Sequence, residues 1–182
     1  MNIFKKWQDQ ENSLRKNLVF LIIGALIFPT SIPAILVFLL PLLDKRIGIG
    51  SFFAGNANIL IGILFILMGG TLAFWTIIAQ IILASGTPFP MLPTRKLLVL
   101  GPFKYCRNPM TLGTLMAYGG IAVMVGSVAS LVFVVLFAML LISYIKLVEE
   151  KELVLRFGTE YLDYKKDTPF IIPVRLAAVK KK

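Results

Sequence analysis

The chain of 182 residues contains no histidine and only one cysteine, Cys106. Histidine is the commonest general base and a frequent zinc ligand, so its absence removes the usual routes to acid–base catalysis and to a zinc site. A single cysteine cannot form an internal disulfide and therefore indicates nothing about the redox compartment. We expect a protein that binds no metal.

Charge is also scarce. Charged residues make up 15% of the chain, whereas about 25% is typical of a soluble domain. Hydrophobic residues make up 58%, and several uncharged runs are long enough to cross a bilayer. These runs are continuous and do not alternate, which argues against a transmembrane barrel. The composition predicts an all-α membrane protein, a polytopic helical bundle that forms a single domain over residues 1–182.

Four transmembrane helices are predicted, at residues 18–43, 59–83, 111–125 and 131–148. The last two come from one uncharged run, residues 110–145. As a single helix this run would be about 54 Å long, against a hydrocarbon core of about 30 Å. It must therefore fold back, and Gly126, Ser127 and Ser130 mark the turn.

Two further features predict local structure, one before the first span and one within the second. Residues 1–17 precede the first span and mix both charge signs, so we expect an interfacial helix there and not a secretory signal. Gly62, Gly69 and Gly70 lie within the second span, and glycines in a membrane helix predict close packing against another helix.

The distribution of lysine and arginine predicts the orientation. Four lie in residues 1–17, four in residues 84–110 and nine from Lys146 onward, whereas the first connecting loop carries only Lys45 and Arg46. The positive-inside rule then places both termini and the proline-rich connector before the third span in the cytoplasm. We expect a multi-pass protein of a prokaryotic cytoplasmic membrane. The net charge of +10 indicates this topology and contact with anionic lipid, not nucleic-acid binding.

Polar residues gather at the predicted cytoplasmic ends of the third and fourth spans. Residues 104–108 precede the third span and Glu149 and Glu150 follow the fourth, so the hairpin makes the two groups neighbours. One interpretation is a salt bridge that closes the bundle. The other is a site for a small zwitterion, in which Arg107 and Asn108 bind a carboxylate at a helix N-terminus and a glutamate binds an ammonium. Spacing alone leaves both interpretations open.

Two stretches carry a resemblance to a known family. They are GTPFPMLPTRKLLVLGPFKYCRNPMTLG (86–113) and EEKELVLRFGTEYLDYKKDTPFIIP (149–173). In this order, and with an apolar hairpin between them, they resemble the motifs of the isoprenylcysteine carboxyl methyltransferase / phospholipid methyltransferase family of integral membrane enzymes. The resemblance implies S-adenosylmethionine as cofactor and methyl transfer to a lipidic or prenylated acceptor, through a carboxylate or an amine. It covers about half of the chain.

The resemblance also implies roles for individual residues. Its catalytic residues are Arg107, Asn108 and Glu150. Its cofactor-binding residues are Tyr105, Arg107, Asn108, Pro109, Gly113, Glu149 and Glu150, and its substrate-binding residues are Tyr161 and Tyr164. The chain departs from the family where Asn108 stands in place of a frequent His and Thr111 in place of a usual Tyr. Asn108 still donates a hydrogen bond, whereas Thr111 cannot stack on adenine, a contact that Tyr105 is expected to replace.

Two alternatives belong to other classes. Membrane sterol reductases resemble the same C-terminal region and bind NADPH, but Arg95 and Arg107 are fewer arginines than a dinucleotide 2′-phosphate requires. A non-catalytic membrane scaffold is the other alternative, and Thr111 is its main support. The bilayer and a lipidic acceptor are the expected partners.

Overall fold

The computed structural model describes residues 29–52, 56–84 and 97–173, and all regular secondary structure within them is helical. The predicted interfacial helix, the first part of the predicted first span and the proline-rich residues 85–96 lie outside the described residues. Within the described ranges the all-α prediction is confirmed.

The helices follow one another in the order predicted. We number them α1 (residues 29–47, with a π-helical turn at Ile35–Leu39 followed by Leu40–Ile47), α2 (Ala57–Ala84), α3 (Pro109–Val125), α4 (Val128–Tyr144), α5 (Glu150–Phe157) and α6 (Thr159–Asp167). A 3-10 turn, Gly101–Lys104, precedes α3, and a second π-helical turn, Ile145–Glu149, joins α4 to α5 without a break. Gly158 separates α5 from α6 at a positive φ of 56°.

In the described part of the chain, two helices are long and apolar enough to cross a membrane. They are Ala57–Leu83, with 27 residues, and the continuous helix Val128–Phe157, with 30. A span needs about 20 apolar residues, and α3 is also apolar but has 17 residues. Many large apolar side chains of α2 and α4 point outward, among them Leu60 (73% exposed) and Leu140 (72%). Such surfaces suit contact with lipid chains better than contact with water.

Glycines let α2 and α3 approach closely. Gly62 of α2 faces Gly120 of α3, and Gly69, about two helical turns further along α2, faces Gly113. A Cβ placed on Gly113 would lie 2.6 Å from the carbonyl oxygen of Gly69 and 2.7 Å from the backbone nitrogen of Ala73, both closer than real contacts allow. Close packing is thus confirmed for Gly62 and Gly69, whereas position 70 faces open space.

A polar network joins α1 to the turn between α3 and α4. The α3–α4 hairpin turns at Gly126, in the left-handed region at φ 68°, and Ser127 caps α4 by accepting a hydrogen bond from the backbone N–H of Ser130. The buried carboxylate of Asp44 in α1 accepts hydrogen bonds from Ser127 Oγ (2.6 Å) and from Ala129 N (3.1 Å). A negative charge at a helix N-terminus is favourable, so Asp44 ties α1 to the predicted turn.

The glycine contact generates a prediction with a matched control on the same helix. Gly113→Ala should destabilise the protein by about 1–3 kcal/mol relative to Gly119→Ala, because the added methyl meets backbone that cannot yield. A Cβ at Gly119 meets nothing within 4 Å, and both changes gain the same intrinsic helix preference. Thermal unfolding in detergent measures the difference. Equal midpoints for the two variants would show that α2 and α3 do not depend on this contact.

Candidate functional site

The loop before α3 is held against the end of α2. Leu98 and Ala79 are buried together, with Phe103 packed on them. Gly101 opens the 3-10 turn at φ 61°, a conformation that favours glycine. The turn then delivers residues 105–108 to the start of α3.

Arg107 is the centre of the site. Its Nη1 donates to a carboxylate oxygen of Glu150 and lies 3.3 Å from the hydroxyl oxygen of Tyr161. Its Nε donates to the carbonyl oxygen of Thr168 (3.1 Å), and its backbone N–H donates to that of Pro169 (2.9 Å). One arginine therefore joins the loop, the helix that leaves the hairpin and the segment that follows α6.

Glu150 is saturated by two cations. While Arg107 binds one carboxylate oxygen, Lys165 Nζ lies 2.6 Å from the other. The whole residue is 8% exposed, and a buried carboxylate is stable only when it is paired and hydrogen-bonded. A salt bridge, one of the two interpretations that the spacing left open, is therefore present, and Lys165 extends it from α5 to α6.

Asn108 binds the same C-terminal segment. Its Nδ2 donates to the carbonyl oxygen of Phe170 at 2.9 Å. The ring of Phe170 in turn lies under two cations, with Arg107 Cζ 5.5 Å and Lys146 Nζ 5.0 Å from its centroid. Such cation–π contacts add to the hydrogen bonds that hold residues 168–170 over the site.

The two tyrosines of α6 complete the wall. Their rings are 6.3 Å apart, Tyr161 is 2% exposed, and Tyr164 donates its hydroxyl to the carbonyl oxygen of Phe103 at 2.7 Å. Burial raises the pKa of Tyr164 well above its usual value and also raises the pKa of Tyr161. Both phenols therefore stay protonated at neutral pH and remain hydrogen-bond donors.

These groups surround one cleft. Its empty volume is about 540 Å³, which includes the part that is open to solvent. It is lined by Gln80, Leu97, Leu98, Phe103, Arg107, Asn108, Ile145, Glu149, Glu150, Leu153, Tyr161 and Tyr164. Apolar walls with a few convergent polar groups are typical of a small-molecule site.

Six of the residues expected from the sequence line this cleft: Arg107, Asn108, Glu149, Glu150, Tyr161 and Tyr164. The other three lie elsewhere. Tyr105 is 59% exposed with its ring 6.4 Å from that of Trp75, Pro109 is buried at the start of α3, and Gly113 faces α2. Thr111 is also absent from the lining.

Sequence reasoning missed Gln80 and the π-helical turn. Gln80 is a polar side chain within the apolar span of α2, and polar groups in membrane helices tend to face functional cavities, so this signal was available. The π-helical turn at Ile145–Glu149 has no comparable sequence signal. It adds a residue to the helical turn, and the cleft is lined from this part of the helix by Ile145, Glu149, Glu150 and Leu153.

The accessibility of Cys106 tests the contact between the loop before α3 and helix α6. It is 2% exposed, and burial raises the pKa of its thiol, which a hydrogen bond from the backbone of Asn108 partly opposes. Only the thiolate reacts with alkylating reagents, so labelling should be slow at pH 7 and should still increase with pH above the usual thiol value of about 8.5. Because the chain has one cysteine, the label reports this position alone.

Tyr164→Phe should accelerate the alkylation of Cys106 several-fold, because the loop loses the hydrogen bond to Phe103 O. Tyr144→Phe is the control, since Tyr144 is 42% exposed on α4 and does not line the cleft. Mass spectrometry of labelled protein at a fixed pH measures both rates. Equal rates would show that Tyr164 does not hold the loop closed.

Comparison with known proteins identifies a family that matches much of the chain. The family described as Phospholipid methyltransferase matches residues 57–160, which is more than half of the chain and spans α2 to the start of α6. No curated protein and no solved structure matches the chain significantly. The matched range includes the loop, the hairpin and both glutamates, so the chain belongs to the phospholipid methyltransferase family.

Proposed function

We propose that this protein transfers a methyl group from S-adenosylmethionine to a lipidic or prenylated acceptor at the cytoplasmic face of a membrane. Methyltransferase activity and association with a membrane follow from the family. One observation supports S-adenosylmethionine as the cofactor: a cleft at the end of two apolar helices presents Arg107 and Glu149 together. Groups of opposite charge in one cleft suit a zwitterion.

The residues present fit this cofactor. Nη1 and Nε of Arg107 bind other residues of the chain, whereas its Nη2 makes no hydrogen bond to a described residue and so can donate to a carboxylate. Glu149 lines the cleft without an ion pair among the described residues and suits an ammonium. Leu97, Leu98 and Leu153 offer apolar surface to a ribose and a base. When bound, S-adenosylmethionine supplies a methyl group on a positively charged sulfur.

The chain's own contribution is to orient the reactants and to exclude water. In-line displacement requires alignment of donor and acceptor, and holding two reactants in place removes much of the barrier. The buried tyrosines and the tail segment over Arg107 exclude water from the cleft. A carboxylate acceptor needs no base, and an amine acceptor has only to be uncharged. A site without histidine is therefore compatible with this reaction.

The orientation that we propose delivers the acceptor from the bilayer. Four spans with both termini in the cytoplasm place the cleft at the cytoplasmic end of the α3–α4 hairpin. The flanking surfaces of α2 and α4 are apolar and exposed, so a lipid chain can lie along them while its headgroup reaches the cleft.

The two glutamates should behave differently when changed. Glu149→Gln should weaken the binding of adenosylmethionine at least about tenfold with little loss of stability, because it removes a charged contact and no ion pair among the described residues. Glu150→Gln should weaken binding and also cost roughly 3–5 kcal/mol of stability, because it leaves Arg107 without its partner. Titration calorimetry and thermal unfolding in detergent measure the two effects. Wild-type protein that is folded yet binds no adenosylmethionine would refute the proposed cofactor.

The acceptor can be identified directly. Membranes that contain the protein should transfer label from methyl-labelled adenosylmethionine into the lipid fraction or into a prenylated fraction, and Glu149→Gln membranes should transfer much less. Excess NADPH should not displace the cofactor, because Arg107 is the only arginine that lines the cleft among the described residues. Displacement by NADPH, or label in neither fraction, would contradict this assignment.

A further inference from the structure

Gln80 is a polar residue that neither the fold nor the reaction proposed above uses. It lies near the cytoplasmic end of α2, within the apolar span Ala57–Leu83, and its side chain lines the cleft. Its Oε1 is buried and has no hydrogen-bond partner among the described residues. An unsatisfied buried acceptor costs stability, so a residue that is retained in this state calls for an explanation.

A second unpaired acceptor lines the same cleft. Glu149 makes no ion pair with any described residue, whereas its neighbour Glu150 is occupied by Arg107 and Lys165. The cleft therefore offers a neutral acceptor from α2 and a charged acceptor from the end of the hairpin. Two acceptors without donors complement a group that carries several N–H bonds and a positive charge.

We propose that Gln80 is a specificity-determining residue that accepts a hydrogen bond from a ligand ammonium, with Glu149 as the counter-charge. This inference rests on the proposed function. The ammonium has two possible sources. One is the amino-acid part of the cofactor, and the other is the amine headgroup of an acceptor lipid, which would bind protonated and lose one proton, to Glu149 or to water, before its nitrogen accepts the methyl group. The Oε1 of Gln80 accepts no hydrogen bond from α3 or α4 among the described residues, so this acceptor does not tie α2 to its neighbours.

The test is the variant Gln80→Leu, which keeps the size and removes the acceptor. Because the acceptor is unsatisfied without ligand, this variant should be at least as stable as the wild type. Thr76→Val is the matched control: it lies one turn earlier in α2, and its hydroxyl donates to the carbonyl oxygen of Leu72 at 2.8 Å outside the cleft lining. Gln80→Glu retains an acceptor and should preserve or tighten binding.

Two measurements distinguish the sources of the ammonium. Calorimetry with S-adenosylhomocysteine gives the affinity for the amino-acid part, and the rate of methyl transfer to phosphatidylethanolamine vesicles at saturating cofactor gives the acceptor KM. If the cofactor supplies the ammonium, Gln80→Leu should raise Kd about tenfold or more and leave the KM unchanged. If the lipid supplies it, the KM should rise by a similar factor and Kd should stay the same.

The inference is overturned if Gln80→Leu changes neither quantity more than Thr76→Val does, or if Gln80→Glu fails to restore what Gln80→Leu loses. It is also overturned if Gln80→Leu is destabilised, since the side chain would then serve the fold. These outcomes differ from failure of the proposed function, in which the wild-type protein itself would bind neither adenosylmethionine nor adenosylhomocysteine.

Discussion

The ion pair between Arg107 and Glu150 is the constraint on which the end of the bundle that carries the cleft depends. Three segments that are distant in sequence meet at it: the loop before α3, the helix that leaves the hairpin and the segment after α6. A buried pair contributes little net stability when it is complete but costs several kcal/mol when it is half removed. Its effect is therefore to specify one arrangement of these segments. Lys165 extends the same constraint to α6.

Close backbone packing between α2 and α3 determines where the ends of these two helices lie relative to each other. Gly69 and Gly113 allow α2 and α3 to lie closer than larger residues permit, and this contact fixes the register between the two helices. Register decides which residue of α2 reaches the cleft, and here it is Gln80. The glycine contacts thus act on the site from a distance, and the buried Asp44 at the other end of the bundle holds α1 to the same hairpin.

The sequence predicted the parts that local rules determine. An uncharged run too long for one span required a turn, and the turn lies at Gly126 and Ser127 as expected. The hairpin then required Arg107 and Glu150 to be neighbours. The resemblance to the family motif implied that Gly113 and Tyr105 bind the cofactor, and the structure puts both outside the cleft. Gly113 lies on the face of α3 that packs against α2, and Tyr105 lies in the loop before α3 with its ring near that of Trp75. The π-helical turn depends on tertiary packing, and no local sequence pattern predicts it.

The two interpretations that spacing left open concern different glutamates. The salt bridge that closes the bundle uses Glu150, both of whose oxygens are occupied by cations. Glu149 precedes Glu150 by one residue at the end of the π-helical turn, and both line the cleft. Of the two, only Glu150 forms ion pairs among the described residues. If both were paired internally, the cleft would offer a ligand no charged acceptor, and if neither were, Arg107 would have no fixed position. In the proposed site, the division between a paired and an unpaired carboxylate allows a rigid cleft to retain an attraction for a cation, and Gln80 of α2 adds a neutral acceptor.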